Sequence, residues 1–345
     1  MKEVIVLSSA CGAMFMPGFL KCLKENGERK LKIIGIDMVK DPFLGNLIDG
    51  YYQVPAYTDK KYVDTLLEIC KKEKIDIFFP HISMELPIIL KRIDDFKNLG
   101  VKVAITNNNT LNIANNKLKL YEYMKEKGLD IPKYYEIKNS NDLKENAKKL
   151  GFPEVPVVVK VTESSGSRGV RIVKNNISRA EIFLHQKPNS FNILMEDMCK
   201  TIDECENLPD TIVMEYIPGC EYTVDLLADH GKTIYIAGRR NYESSMSIAM
   251  ATYTEKKEEA YELCKNIVSL LELDGNIGFD FMLDENDNPI LTDLNPRITA
   301  TIILYKEAGL NLPYLRVKQL LNENLPEVDL KYGVEMKRKY WDIFD

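Results

Sequence analysis

The sequence predicts an α/β plus α+β protein, in which a parallel α/β domain comes first and a larger α+β region follows. Residues 1–112 alternate short apolar, strand-like runs with amphipathic stretches, which is typical of a parallel sheet covered by helices. From residue 155 onward, longer apolar runs are separated by turns, which indicates antiparallel sheet. The 345 residues, of which 45% are hydrophobic, suffice for two or three well-buried cores.

The first domain is predicted to alternate strands with helices. In chain order, the segments are residues 4–7, 18–24, 31–36, 62–72, 75–79, 85–96 and 101–105. This order predicts right-handed crossovers and a Rossmann-like sheet. The first turn, residues 8–12, lacks G-x-G-x-x-G, so we interpret it and Asp37, at the end of the second strand, as scaffold rather than as a dinucleotide site. The polar run 106–110 predicts a turn and a domain boundary near residue 112.

The second region is predicted to combine strands and helices. The predicted strands are residues 134–137, 155–161, 170–173, 211–217, 221–227, 233–237, 276–283 and 289–294. The predicted helices are residues 117–127, 142–150, 178–185, 193–206, 255–271, 300–308 and 312–321. The polar tail that follows has no pattern that indicates a role.

The composition disfavours several classes of function. A net charge of -6 works against non-specific binding to nucleic acid or anionic membrane. The first apolar run, about five residues from Val4, is far below the roughly 20 that cross a bilayer, so we expect a cytoplasmic protein with a small-molecule ligand. The seven cysteines contain no C-x-x-C and the three histidines lie far apart, so no zinc site or disulfide framework is expected. A serine or cysteine nucleophile is an alternative that no G-x-S-x-G elbow supports.

A strand that carries Lys160 near its end is followed by the small-residue loop 164–169 and by another strand. Backbone N–H groups of such a loop can close over phosphate oxygens while the ammonium group lies against them, so the segment predicts a phosphate lid. It is not a Walker A loop, because the lysine precedes the glycines. A flexible hairpin with a solvent-seeking lysine is the alternative.

A second feature joins two predicted strands through a Pro-Gly turn at residues 218–219. Because side chains alternate along a strand, Glu221, Thr223 and Asp225 are expected to share one face. A carboxylate just beyond the turn could accept ribose hydroxyls, with the backbone of residues 215–217 against an adenine edge. An acidic face turned to solvent is the alternative.

The third feature is the hairpin of residues 276–283 and 289–294. A four-residue loop at 285–288 would place Asp280 opposite Asp293, with Asn295 on the same face. Two carboxylates about 5 Å apart repel one another unless a cation lies between them, and an all-oxygen set suits Mg²⁺. Arg297, just beyond the strand, would supply a fixed cation for a phosphate. A purely structural origin of this set is the alternative.

These features follow one another in a fixed order along the chain: Lys117, Lys160, residues 164–169, Glu215, Tyr216, Ile217, Glu221, Asp280, Asp293, Asn295, Pro296 and Arg297. The ordered set resembles the ATP-grasp superfamily, specifically its carbamoyl-phosphate-synthase-like carboxylate–amine ligases, over nearly the whole chain. The resemblance implies a pre-ATP-grasp α/β domain (1–112), followed by an ATP-grasp module of two α+β subdomains. These would be a small lid subdomain with a linking helix (113–215) and a large subdomain with the metal site and C-terminal helices (216–345).

The resemblance also implies a nucleotide site. Its residues would be Lys117, Lys160, Ser164, Ser165, Gly166, Ser167, Gly169, Glu215, Tyr216, Ile217 and Glu221. In that family pattern, the two lysines contact ATP phosphates and the loop covers them. The backbone of Glu215 and Ile217 meets adenine, and Glu221 binds ribose.

For the chemistry, the resemblance implies that Asp280, Asp293 and Asn295 hold one or two Mg²⁺ or Mn²⁺ ions. Arg297 would steady the transferred phosphoryl group, and Lys160 would share the catalytic work. The family usually has Glu where this chain has Asp293, so the carboxylate reaches less far by one methylene.

Two further points of the family pattern bear on this chain. Arg168 stands in the loop where a smaller residue is usual. Arg239 and Arg240 fall where such ligases often bind a carboxylate substrate; an exposed arginine pair is the alternative.

The implied activity is ATP-dependent ligation of a carboxylate to an amine or a thiol through an acyl phosphate, with release of ADP and phosphate. One alternative is activation of bicarbonate, or phosphoryl transfer, as in carbamoyl-phosphate-synthase-like relatives. Another is a non-catalytic ATP-binding protein. A nicotinamide-dependent dehydrogenase on residues 1–112 is disfavoured by the missing glycine fingerprint. The partners would be small-molecule substrates, and a homodimer is the default expectation for the oligomeric state.

Overall fold

The computed structural model describes residues 3–106, 108–164, 166, 168–188, 190–245 and 248–339. Two compact units make up the chain. The first consists of Met1–Asn115, Glu221–Asp280 and Asp293–Asp345, and the second of Asn116–Cys220 and Phe281–Thr292. The predicted division into 1–112, 113–215 and 216–345 remains a prediction. Among the described residues, no helix combines the length and apolar character that crossing a bilayer requires.

A five-stranded parallel sheet opens the first unit, which confirms the predicted α/β arrangement. Its strands are β1 (Val4–Ser8), β2 (Leu31–Asp37), β3 (Gly50–Gln53), β4 (Ile77–Phe79) and β5 (Lys102–Val103), in the order β3-β2-β1-β4-β5. The helices of this part are α1 (Met16–Lys24), α2 (Tyr62–Glu73), α3 (Leu86–Leu90), α4 (Ile93–Asn98) and α5 (Asn108–Ala114). Successive residues of β1 pack into different hydrophobic cores: Val6 packs with Phe19 of α1, and Leu7 packs with Leu66 of α2. Strands buried on both faces are expected of a parallel sheet.

Several predictions for this part were wrong in detail. The helix predicted at 85–96 is two short helices, because the backbone of Arg92 (φ -119°, ψ 20°) leaves the helical region. The turn predicted at 106–110 contains the start of α5 at Asn108. Strand β3 was missed.

The second unit contains a five-stranded sheet in the order β6-β10-β7-β8-β9. Its elements are α6 (Lys117–Glu126), β6 (Tyr134–Ile137), α7 (Ser140–Lys149), β7 (Val157–Val161), β8 (Val170–Lys174), α8 (Arg179–His185), β9 (Asn192–Leu194), α9 (Met195–Asp203) and β10 (Thr211–Glu215). The predicted antiparallel pairing holds except that β8 and β9 are parallel. The helix predicted at 193–206 was wrong at its start, because residues 192–194 pair with β8 before α9 begins. Val157 and Val159 of β7 pack with Leu143 of α7 in the core.

A six-stranded sheet has the order β15-β14-β11-β12-β13-β16, in which β11 and β12, β12 and β13, and β13 and β16 pair antiparallel. The remaining elements are β11 (Glu221–Asp229), β12 (Lys232–Ser245), β13 (Ile248–Thr254), α10 (Glu258–Leu270), β14 (Gly275–Leu283), β15 (Pro289–Asn295), α11 (Ile303–Glu307), α12 (Leu312–Leu320) and β16 (Glu335–Lys337). The sequence missed β13 and the extension of β12 to Ser245. It also gave no role to the tail, where β16 pairs with β13.

The turn between β14 and β15 differs from the predicted four-residue loop. The Asp284 N–H donates to the Asn288 carbonyl at 2.9 Å and the Asp287 N–H to the Asp284 carbonyl at 3.0 Å. Asp287 adopts a left-handed conformation (φ 67°), as in a type I turn followed by a bulge. Strand pairing next to the turn is therefore one residue out of the predicted register, because the loop is one residue shorter.

Candidate active site

The metal-ligand candidates lie at the ends of β14 and β15 in the first unit. The Asn295 amide Nδ2 donates to Asp280 Oδ2 at 2.9 Å, and Thr223 Oγ1 of β11 donates to Asp280 Oδ1 at 3.0 Å. Both oxygens of Asp280 are thus oriented by neutral donors from neighbouring strands. Asp293 Oδ1 accepts from the N–H of Leu294 at 3.0 Å.

Burial and crowding make the Asp280 carboxylate hard to ionise. Burial raises its pKa to about 6, the negative charges of Asp293 and Asp225 contribute to the rise, and Arg239 opposes it. A carboxylate whose charged form is disfavoured in this way gains from a cation placed beside it. The set Asp280, Asp293 and Asn295 offers only oxygen ligands once the amide of Asn295 turns its oxygen inward, which is the ligand class that Mg²⁺ prefers.

Thr223 is itself held in place by Asn241 of β12, whose Nδ2 donates to Thr223 Oγ1 at 3.2 Å. Asn241 Oδ1 is buried and has no hydrogen-bond partner within the described part of the chain. Sequence reasoning placed Thr223 on a face with Asp225 but gave it no role, and it missed Asn241. The strand pairing of β11 and β12 brings these residues together, and a single predicted strand does not reveal it.

Arg239 and Arg240 each form an ion pair with a carboxylate. Arg239, only 4% exposed, pairs with Asp225 and donates to the Tyr305 hydroxyl at 2.9 Å. Arg240 makes two bonds to Glu255, at 2.8 and 3.1 Å. The alternative of an exposed arginine pair is therefore wrong. The alternative of an acidic solvent face is also wrong for Asp225, which is buried. Binding of a substrate carboxylate by these arginines remains a prediction.

Arg297 follows β15 and makes three hydrogen bonds. Its Nε donates to Ser83 Oγ at 2.9 Å, Nη1 to the Ile298 carbonyl at 2.9 Å and Nη2 to Asn295 Oδ1 at 3.4 Å. Burial lowers the pKa of Arg297, and Asp280 and other acids oppose this shift. Arg297 makes no ion pair with a described carboxylate, so its charge is available to an anionic ligand. Sequence reasoning missed Ser83.

In the second unit, the two lysines predicted to bind phosphate lie on β7 and α6, two elements whose ends a hydrogen bond joins. Lys160 lies in β7, paired with Ile212 and Val170. Lys117 is the first residue of α6, and its N–H donates to the carbonyl of Thr162 at 3.2 Å, which ties the helix start to the end of β7. Asn116 caps this helix by accepting from the N–H of Lys119 at 3.1 Å.

The loop after β7 is closed by a hydrogen bond from the Val161 N–H to the Gly169 carbonyl at 3.0 Å. Gly169 has φ 68°, and a Cβ there would lie 2.7 Å from Val161 Cγ2, so this position requires glycine. Ser164 Oγ lies 3.4 Å from the carbonyl of Val161. Gly166 also has a positive φ, 63°, whereas Ser165 and Ser167 lie outside the described residues.

The predicted adenine-binding segment begins at the end of β10. Lys133 holds Glu215 twice: the Glu215 N–H donates to the Lys133 carbonyl at 3.0 Å, and Glu215 Oε1 accepts from the Lys133 N–H at 2.8 Å. Ile217 is buried and Tyr216 partly exposed. The carbonyl of Cys220 accepts from Leu283 N–H at 3.0 Å, which fixes the end of the segment. In the first unit, Glu221 is exposed and accepts from Ser244 Oγ at 2.6 Å.

Asp229, His230 and Asp274 form another group with metal-ligating atoms within 4.8 Å of one another. Asp229 and His230 are exposed at the turn between β11 and β12. Asp274 Oδ2 accepts from Arg316 at 2.7 Å. Because Arg316 already neutralises Asp274, we assign no metal to this group.

Comparison with known proteins gives two family matches. The family described as "ATP-grasp in the biosynthetic pathway with Ter operon" matches residues 207–339, and the one described as "PylC-like, N-terminal domain" matches residues 13–104. The carbamoyl phosphate synthase large chain of Clostridium acetobutylicum is 27% identical over 293 residues, which are 82% of this chain and 25% of that protein. The chain thus spans about a quarter of this relative.

Solved structures share the fold over nearly the whole chain. An ADP complex of N5-carboxyaminoimidazole ribonucleotide synthetase superimposes with a TM-score of 0.66 and 17% identity, covering 95% of this chain and 79% of that one. Biotin carboxylase from Campylobacter jejuni gives a TM-score of 0.69 and 16% identity, covering 94% and 73%. At these identities the likeness shows the fold, and it confirms the expected combination of an α/β domain with an ATP-grasp module.

Proposed function

The chain belongs to the ATP-grasp superfamily, and from this premise we propose that it is an ATP-dependent ligase that joins a carboxylate to an amine or a thiol. The reaction would pass through an acyl phosphate and release ADP and phosphate. One observation carries the proposal: the Asp280 carboxylate is crowded by Asp293 and Asp225, and it is hydrogen-bonded to Asn295, whose neighbour Arg297 has no described carboxylate partner.

The donor set fits a hard divalent cation. Asp280, Asp293 and Asn295 would hold Mg²⁺ or Mn²⁺, which when bound neutralises and orients nucleotide phosphates. Thr223 and Asn241 support this role by fixing the orientation of the Asp280 carboxylate.

The chain's other residues bind and neutralise the nucleotide in this proposal. Lys117 and Lys160 contact the phosphates, and the loop from Ser164 to Gly169 covers them and excludes water. The backbone of Glu215 and Ile217 meets adenine, and Glu221 accepts hydrogen bonds from ribose hydroxyls. The rigid attachment of Glu215 to Lys133 supports a preformed adenine edge.

The reaction needs no side-chain nucleophile. An oxygen of the substrate carboxylate attacks the γ-phosphorus of ATP, and the bond to the β-phosphate oxygen breaks to give the acyl phosphate and ADP. The amine or thiol then attacks the acyl carbon, phosphate leaves, and the nucleophile loses its proton. Arg297 and the lysines contribute by positioning and by offsetting charge spread over phosphoryl oxygens.

Activation of bicarbonate is a second candidate, favoured by the match to a carbamoyl phosphate synthase large chain. The two candidates differ in the acid consumed, so one assay separates them. A small-molecule acid and nucleophile would be the partners in either case, and a homodimer remains a prediction.

The test is an ADP-release screen of carboxylates, including bicarbonate, against amines and thiols, with mass detection of the product. We expect release that depends on one acid and one nucleophile, and loss of release in Asp293→Ala. The exposed Asp203→Ala serves as the matched control and should keep full activity. Full activity of Asp293→Ala would show that the metal assignment is wrong, and nucleotide binding without ADP release for any pair would favour the non-catalytic alternative.

A further inference from the structure

The strand order of the parallel sheet reverses between β1 and β4, and the segments that follow these strands meet at their carboxyl ends. Ser9 follows β1, and its N–H donates to the Phe79 carbonyl at the end of β4 at 3.1 Å. The segment from His81 to Glu85 follows β4. In open α/β sheets this point is where loops come together to form functional sites.

Glu85 fixes the segment after β4. It is fully buried, and its Oε1 accepts from Ser9 Oγ at 2.5 Å, from the His81 N–H at 2.8 Å and from the Ile82 N–H at 3.0 Å. Its Oε2 accepts from the Tyr62 hydroxyl at 2.5 Å. One side chain thereby sets the backbone of two residues directly before Ser83.

Ser83 accepts one hydrogen bond through its main chain and one through its side chain. Its carbonyl accepts from Asn115 Nδ2 at 3.1 Å, and its hydroxyl accepts from Nε of Arg297 at 2.9 Å. These two residues are 214 positions apart in the sequence but belong to the same unit. The contact therefore ties the parallel sheet to the strand end that carries the metal-ligand candidates.

The guanidinium plane of Arg297 is set by three hydrogen bonds on different nitrogens. A guanidinium has five N–H groups in a rigid fork, so fixing three of them fixes the direction of the other two. Of the three acceptors, only the Ser83 hydroxyl comes from the parallel sheet. Its loss would leave bonds to Ile298 and Asn295, about which the side chain could tilt.

We propose that Ser83 is a positioning residue, whose hydroxyl orients Arg297 so that the remaining N–H groups face the phosphoryl group in transfer and the phosphate that is released. The proposal rests on the proposed function and adds to it a part for the N-terminal sheet in the phosphoryl step. Glu85 contributes indirectly, because it fixes the backbone segment that leads to Ser83.

The experiment uses the full chain saturated with MgADP and titrates inorganic phosphate by calorimetry. Ser83→Ala should weaken phosphate binding about tenfold, as expected when a hydrogen bond that orients a charged group is lost. Its affinity for MgADP should match the wild type. Ser83→Thr keeps the hydroxyl and should restore phosphate binding, and Ser269→Ala, on an exposed helix face, is the matched control.

A second readout follows the Arg297 Nε–H signal by NMR, assigned by its loss in Arg297→Lys. Ser83→Ala should speed exchange of this proton with water, and Ser83→Thr should not. Unchanged phosphate affinity in Ser83→Ala, or a wild type that binds MgADP but not phosphate, would overturn the positioning role alone. A wild type that fails to bind MgADP would overturn the proposed function and this inference together.

Discussion

Two carboxylates of the first unit, Glu85 and Asp280, share one property and differ in their neighbours. Burial raises the pKa of both, to about 6 for Asp280. Glu85 accepts four hydrogen bonds from two hydroxyls and two backbone N–H groups. Asp280 accepts from Thr223 Oγ1 and from the Asn295 amide, and it also faces the negative charges of Asp293 and Asp225.

The comparison distinguishes a carboxylate that is stabilised by neutral donors, Glu85, from one that is destabilised by nearby negative charges, Asp280. Each of these four partners of Glu85 is a neutral donor, so the protein itself solvates the carboxylate. Around Asp280, burial and two like charges raise the pKa of the carboxyl group, although Arg239 acts against them. Regions that are unfavourable without their ligand are typical of functional sites.

The largest expected effect is at Glu85. Glu85→Ala leaves the Ile82 N–H group and two hydroxyls without their acceptor, and the His81 N–H keeps only Ser9 Oγ. It should lower the free energy of unfolding by about 3–5 kcal/mol. Glu85→Gln keeps one acceptor oxygen, and the Tyr62 hydroxyl can turn to accept from the new amide. It should cost about 1 kcal/mol.

Urea unfolding measures both changes, with the exposed Glu259→Ala as the control. Equal losses in Glu85→Ala and Glu85→Gln would mean that the negative charge, rather than the acceptor geometry, stabilises this site. That outcome would remove the contrast with Asp280.

Substitution of Asp280 should stabilise the protein, whereas substitution of Glu85 should destabilise it. In the absence of divalent cations, Asp280→Asn should raise the free energy of unfolding at pH 7 by about 1–2 kcal/mol, because it removes a crowded negative charge. The same substitution should abolish the rise in melting temperature that MgADP gives the wild type. Thermal unfolding with and without MgADP measures both effects.

The difference in unfolding free energy between Asp280→Asn and the wild type should depend on pH. The pKa of Asp280 in the folded protein, about 6, lies above its ordinary value of 3.8, so the folded state holds the proton more tightly than the unfolded state. The advantage of Asp280→Asn over wild type should be absent below about pH 4, grow up to about pH 6 and stay constant above it. An advantage that shrinks as the pH rises would contradict the assignment of crowding at Asp280.

The sequence predicted much of the fold from local patterns. The apolar runs of β1, β2, β7 and β14 were found because each is bounded by turn residues or helices. Strands β3 and β13 were missed, since short mixed runs do not distinguish a strand from a loop without their pairing partners. The break at Arg92 was also missed, because the helical pattern continues through a residue whose backbone leaves the helix.

The site was predictable only where its parts lie on one hairpin. Asp280 and Asn295 lie on neighbouring strands joined by a short turn, so strand alternation brings them within reach. Thr223 contacts Asp280 from 57 residues away, and Ser83 contacts Arg297 from 214 residues away, through sheet pairing and packing. Such contacts depend on the tertiary fold, which no local spacing encodes.

An exposed carboxylate gives the smallest expected effect and completes the comparison. Glu221 accepts one hydrogen bond, from Ser244 Oγ at 2.6 Å, and its side chain faces solvent. Glu221→Ala should change the free energy of unfolding by less than about 0.5 kcal/mol.

If Glu221 binds ribose, Glu221→Ala should weaken ADP binding about threefold, because a hydrogen bond to a charged group is lost at an exposed position. Binding of 2′,3′-dideoxy-ADP should not change, since it lacks both hydroxyls, and the exposed Glu243→Ala of the same sheet should leave both nucleotides unaffected. Equal weakening of ADP and the dideoxy nucleotide would assign Glu221 a general electrostatic effect instead of the ribose contact.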